Sequence, residues 1–252
     1  MHAAGETTAE IGEGDLLRGG NVAVVTGGTG ALGRALVPML VRRNFRLAIS
    51  YLVPDEASEL EEQLDLDEDR LLLRRVDCTD AESVNRLMKE TMETFGQINV
   101  VCSLVGGWAG GRDVGETDDV RFDRMLDLNL RSTFYTIRAA IPHLLHAEWG
   151  RIIAVGSRAA FDTPTGQAAF NVSKAGVIAL VKSVANELDH TNITSNVILP
   201  AVIDTMATRS ALPYSDYVRW PKPAEIAAVV DFLASPSSVV INGAAIPVYG
   251  QA

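Results

Sequence analysis

No apolar run in this 252-residue chain approaches the roughly 18 to 20 residues that span a bilayer; the longest, such as Asn21 to Val25 and Val100 to Val105, are strand-sized. No membrane partner is therefore expected. Basic residues are also scarce, 22 Lys and Arg against 32 Asp and Glu, and the formal net charge of -10 offers no footprint for nucleic acid. Cysteine is limited to Cys78 and Cys102, which favours a reduced, cytoplasmic setting over a disulfide scaffold. The first twenty residues, MHAAGETTAEIGEGDLLRGG, lack the basic start and apolar core of a signal peptide. They read as a flexible leader (1–20) ahead of one folded domain (21–252). His143, His146 and Glu148 form a superficial ligand cluster without a further ligand motif, at a helix end beside Pro142, so no metal is expected.

What the sequence does contain is alternation. Strand-like runs occur at Val22 to Val25, Leu47 to Tyr51, Leu71 to Val76, Val100 to Leu104, Arg151 to Val155, Ile193 to Leu199 and Val239 to Pro247. Helix-length segments separate them: Leu32 to Val41, Ala81 to Phe95, Val120 to Ala147, Gln167 to Leu188 and Ala224 to Leu233. Repeated βαβ units of this kind predict a single-domain α/β fold, a doubly wound, Rossmann-like parallel sheet flanked by helices. Pro142 is expected to end or bend the long fourth helix, and the acidic stretch Asp55 to Asp69 to be solvated helix and loop.

The first strand runs into Thr26-Gly27-Gly28-Thr29-Gly30-Ala31-Leu32-Gly33 and then a helical pattern. Glycines permit a tight turn and close backbone approach, while the amides of a helix start attract a pyrophosphate, so this turn predicts a dinucleotide site. After the third strand, Asp77 and Cys78 open Asp-Cys-Thr-Asp, where Asp77 either accepts from an adenine amino group or caps the next helix. A carboxylate at the end of the second strand would mark NAD. That position holds Tyr51, Asp55 and Glu56 fall late in the spacing, and no basic residue there argues for a 2′-phosphate, so NAD or NADP stays open.

The glycine turn, Asp77, Asn129, Ser157, Lys174 and the Pro200 to Thr205 segment together resemble the short-chain dehydrogenase/reductase family, over nearly all of the chain from Asn21. Ala31 in place of that family's middle glycine, Ser103-Leu104-Val105-Gly106 after the fourth strand, Gly106 to Gly111, and the run from Leu199-Pro200 to Trp220-Pro221 are most similar to its dihydropteridine reductase branch. The resemblance implies a Ser, Tyr and Lys that polarise and protonate the group being reduced, with an Asn organising a proton relay. Asn129, Ser157 and Lys174 occupy three of those positions, and Phe170 occupies the tyrosine's. It also implies that Lys174 holds the nicotinamide ribose, that Pro200 and Thr205 border the cofactor, and that the protein is a homodimer or homotetramer.

Each residue also has a plainer reading. Phe170 and Lys174, four apart, share a helix face, where a phenylalanine is ordinarily core packing. Ser157 follows a strand, where a hydroxyl commonly caps a turn, and Asn129 satisfies backbone groups in a bent helix. Trp108, among glycines, either stacks on a planar substrate or anchors its loop. Tyr214 and Tyr217 fall in a segment expected to form a substrate lid, and either is a candidate proton donor. These features favour an NAD(P)H-dependent oxidoreductase acting on a planar small molecule such as a quinonoid dihydropterin. A cofactor-binding regulatory module without catalysis, or a lyase, isomerase or cyclase on the same fold, stands as the alternative.

Overall fold

The computed structural model describes residues 20–251; apart from Gly20, the expected leader lies outside them. Seven strands, β1 (Val22–Thr26), β2 (Arg46–Tyr51), β3 (Leu71–Arg75), β4 (Val100–Ser103), β5 (Gly150–Val155), β6 (Ile193–Pro200) and β7 (Ala245–Val248), form one sheet. Their order is β3-β2-β1-β4-β5-β6-β7, and every neighbouring pair is parallel. The chain thus builds outward from β1 in one direction and then reverses to β4, leaving a crevice at the carboxyl ends where the order switches.

Side-chain alternation along β1 divides the core in two. Val22 and Val24 face a layer containing Leu87 and Met88 of α3 (Ala81–Phe95), Ile137 of α5 (Ser132–Leu144) and Val181 of α7 (Ala168–Glu187). Ala23 and Val25 face Leu36 and Leu40 of α1 (Ala31–Arg42) and Ile226 and Val230 of α9 (Pro223–Leu233). Because helices cover both faces, the central strands read as continuous apolar runs. Burying each such Leu, Ile or Val contributes about 1.5–3 kcal/mol relative to exposure.

Three expectations are corrected. The last strand is only Ala245–Val248: Val239 and Val240 are exposed, and Asn242 instead accepts from the amide of Ser195 before β7 begins. The long fourth helix is three pieces, α4 (Asp119–Met125), a wide π-type turn (Leu126–Arg131) and α5. Pro142 sits near the end of α5, two residues before its last. Finally, α7 is long and apolar enough by composition to cross a membrane, contrary to the reading of strand-sized runs, yet more than half of its most apolar window is packed inside the fold. The acidic stretch supplies α2 (Pro54–Leu64), begun by a proline and ended by a left-handed Asp65.

Candidate active site

A cavity of about 590 Å³ opens beyond the carboxyl ends of β4, β5 and β6 and reaches Leu32 at the start of α1. Trp108, Ser157, Phe170, Lys174, Pro200 and Thr205 all line it, so six of the side chains singled out in the sequence converge on one space. Asn129 sits directly behind, fully buried.

The wide turn at residues 126–131 places Asn129 against the loop after β4. Its Oδ1 accepts from the Gly107 amide at 2.9 Å, and its Nδ2 donates to the Gly107 carbonyl at 3.0 Å and to Ser173 Oγ at 3.1 Å. The loop can approach so closely because residue 106 is glycine: a Cβ there would lie 2.8 Å from Asn129 Oδ1 and 3.1 Å from Lys174 Nζ. Wide turns of this kind commonly mark functional positions in helices.

Lys174, 5% exposed, donates from Nζ to the Val155 carbonyl at 2.8 Å. Burial without a carboxylate partner pulls its ammonium down from 10.5 to about 8. One turn earlier, Phe170 packs with Met125 and Ala169, flanked by Ala109, Leu128 and Ala159 of the short α6 (Ala159–Asp162), and presents only carbon to the cavity. Ser157 Oγ accepts from the Ala159 amide at 3.1 Å, which is the turn-capping geometry, while still lining the cavity. Trp108, half exposed at the mouth, donates from its indole nitrogen to Gln167 Oε1 at 2.5 Å.

At the β1 end, α1 starts at Gly30 with no side-chain cap and no acid in its first turn. Uncapped amides beside a glycine turn form an anion site, which fits a dinucleotide pyrophosphate. Gly33 is required here, since a Cβ would lie 2.4 Å from the Gly28 carbonyl oxygen. The Gly27 amide donates to Ser50 Oγ at 2.9 Å, and Ser50 Oγ lies 3.8 Å from Cys78 Sγ, which joins the glycine turn to the ends of β2 and β3 beside Tyr51. Burial pushes the Cys78 thiol up to about 11, so it is inert, and both cysteines are unpaired. Asp77 is exposed and does not cap α3: its Oδ1 accepts from the amide and hydroxyl of Thr79, while Asp80 caps the helix through Glu82 and Ser83.

The two tyrosines do not reach the cavity. Tyr214 is fully exposed, and the Tyr217 ring lies beneath the Arg209 guanidinium at 4.4 Å and edge-on to Trp220. The lid wall comes instead from Ala207, Thr208 and Ala211 of α8 (Met206–Ala211) and from Leu212. The structure also brings Ser50, Gln167 and Glu56 to the edges of the site, and the Glu56 carboxylate accepts from Thr29 Oγ1 at 2.9 Å. Among the described residues no cluster of three or more His, Cys, Asp or Glu could hold a metal.

The short chain dehydrogenase profile matches residues 21–214. The chain belongs to that family. It is 32% identical over 235 residues, 90% of each chain, to the 3-oxoacyl-acyl-carrier-protein reductase MabA of Mycobacterium tuberculosis. Over 246 residues, 91% of this chain and 97% of the other, it is 31% identical to 2-(R)-hydroxypropyl-CoM dehydrogenase of Xanthobacter autotrophicus. Among solved structures it superposes on gox2181 with a TM-score of 0.86 at 28% identity, covering 94% and 98% of the two chains. A short-chain dehydrogenase/reductase from Serratia marcescens gives 0.85 at 29%, covering 92% and 97%. Membership implies NAD(P)-dependent oxidoreduction.

Proposed function

We propose that this short-chain dehydrogenase is an enzyme that reduces a flat, electron-poor ring, with a quinonoid dihydropterin as the representative acceptor. The observation that carries the reading is Phe170, which gives the cavity wall a carbon edge one turn from the lysine. A ketone oxygen that gains negative charge needs a positioned donor, whereas a quinonoid ring already drives its own reduction. The Trp108 indole, tethered by Gln167 at the mouth, supplies a face on which such a ring stacks.

When bound, a nicotinamide dinucleotide supplies the hydride donor. The amides opening α1, with Gly27 to Gly30 behind them, would hold its pyrophosphate, and Lys174 with Thr205 its nicotinamide half. The protein's own task is the proton. With an ammonium lowered to about 8, Lys174 on the cavity wall can release a proton near neutral pH and gives it to the reduced ring nitrogen, while Ser157 Oγ, already accepting from Ala159, donates its hydroxyl hydrogen to a ring substituent. Asn129 holds the Gly106-Gly107 loop, and through it Trp108, in register.

A second reading, reduction of a 3-oxoacyl thioester, is favoured by the identity to MabA over 90% of both chains. Assay of NADH and NADPH oxidation with a quinonoid dihydropterin and with a short 3-oxoacyl thioester separates them. Turnover of the flat ring at least tenfold faster is the expected result; faster thioester turnover sinks the ring reading. Cofactor binding with neither reaction supports a regulatory module.

A further inference from the structure

We infer that Glu56 makes the site selective for NAD(H) over NADP(H). The inference rests on the reading of this crevice as a nicotinamide dinucleotide site. In parallel α/β sheets of this kind the adenosine half lies over the carboxyl ends of the strand before the glycine turn and its neighbour, and the acceptor for the ribose 2′-hydroxyl sits at the end of that neighbour. Here those strands are β1 and β2, paired along Val22 to Val25. Tyr51, at the end of β2, brings no charge to that position.

The carboxylate arrives by another route. Three residues after β2 ends, α2 begins at Pro54, and its first turn folds back over the glycine turn. Glu56, half-buried in that first turn, accepts from the hydroxyl of Thr29, a buried residue of the glycine turn, at 2.9 Å. A separation of 27 residues in sequence thus becomes a side-chain contact at the mouth of the adenosine half. The bond engages Oε2; among the described residues Oε1 has no hydrogen-bond partner and remains an acceptor for a ribose hydroxyl.

Arg34, the cation bonded to this turn, is committed elsewhere. Its Nε donates to the Thr29 carbonyl at 2.9 Å, and its terminal nitrogen donates to the Glu56 carbonyl at 3.1 Å and the Glu59 carboxylate at 2.9 Å. Arg34 therefore braces the α2 turn from behind rather than offering its fork to a phosphate. Asp55 and Glu59 add further negative charge on the same helix. A ribose 2′-phosphate, with a charge near -2, would meet the Glu56 carboxylate, and the guanidinium bonded to that turn is already shared among three acceptors.

Direct titration of the purified protein with NADH and with NADPH, followed by nucleotide fluorescence and by calorimetry, tests this without any acceptor. Wild-type protein should bind NADH at least about tenfold more tightly. Glu56→Gln keeps the shape and the Thr29 contact but loses the charge, so it should bring the two Kd values to within about threefold, chiefly by tightening NADPH. Equal or tighter binding of NADPH by wild-type protein overturns the inference, as does a folded Glu56→Gln variant with an unchanged ratio. Tight binding of both nucleotides overturns selectivity alone; binding of neither overturns the dinucleotide reading and this inference with it.

Discussion

Phe170 and Lys174 stand one turn apart on α7, and both side chains reach the wall of the same cavity. In the proposed reading the amine acts without a phenol beside it. Phe170→Tyr should therefore raise turnover of carbonyl acceptors by about a hundredfold or more while changing flat-ring turnover only a few-fold. An unpartnered hydroxyl would lower stability by about 1–3 kcal/mol, so unfolding must be measured alongside rate. Unchanged rates for both acceptors in a folded, cofactor-binding variant would mean that the proton already comes from another group.

Lys174 links activity to stability through its charge. Its ammonium is lowered from 10.5 to about 8 on folding, so between those pH values the unfolded chain binds the extra proton and stability rises with pH. Below pH 8 the full cost of the buried charge is present, about 3 kcal/mol from the lowering of 10.5 to about 8. Replacing the lysine with methionine removes that cost and loses one hydrogen bond to Val155, worth about 1 kcal/mol. Lys174→Met should thus be more stable than wild type at pH 7 by about 1–2 kcal/mol, with the difference closing by pH 11, and it should be nearly inactive. Urea titrations at pH 7, 9 and 11 read the trend; a wild-type protein whose stability falls from pH 8 to 10.5 would contradict it.

Asn129→Ala removes the two-way clasp on Gly107 and the bond to Ser173. A loss of about 1–3 kcal/mol is expected. Because Trp149 and Trp220 are buried and Trp108 is half exposed, the red edge of tryptophan emission reports the loop, and it should shift on substitution. An unmoved spectrum with an unmoved unfolding midpoint would show that the clasp positions nothing.

Arg151 tests stability away from the cavity. Its guanidinium is 2% exposed, donates to the carbonyls of Gly150, Asn192, Ser235 and Pro236, and lies over the Trp149 ring. Arg151→Met removes four hydrogen bonds at once, although the Asn192, Ser235 and Pro236 carbonyls keep their donors from Gly150, Ser238 and Val239, and it should cost about 3 kcal/mol. Dinucleotide affinity per folded molecule should stay as in wild type, checked by titration below the unfolding midpoint. A weakened affinity would tie the clasp to the site.

The sheet was legible because its central strands are buried on both faces and so read as unbroken apolar runs; Val239 and Val240 imitated such a run and are exposed turn instead. The wide turn around Asn129 left no trace in periodicity, since one extra residue per turn is too small a slip to see. Lys174 and Ser157 are read from the family resemblance and Trp108 from its glycine neighbours, and the cavity is lined by all three. Tyr214 and Tyr217 do not line this cavity because a lid is defined by which side it turns inward, and here small residues, Ala207 and Ala211, face in. The contact of Glu56 with Thr29 is not legible from linear spacing, which assumes an extended path after β2, while Pro54 starts a helix at once.

The clasp at Arg151 also sets an order in time. Two of its carbonyl acceptors, Gly150 and Asn192, are translated within 41 residues of it, but Ser235 and Pro236 follow 84 and 85 residues later. Until the ribosome has released that segment, a cation belonging to the middle of the sheet has half of its acceptors, and the α9 layer that shields β5 is still missing. The nascent chain is therefore held short of its native state until nearly all of it has emerged, and a chain ending before Pro236 would present quality-control proteases with an unfinished centre rather than a trimmed edge.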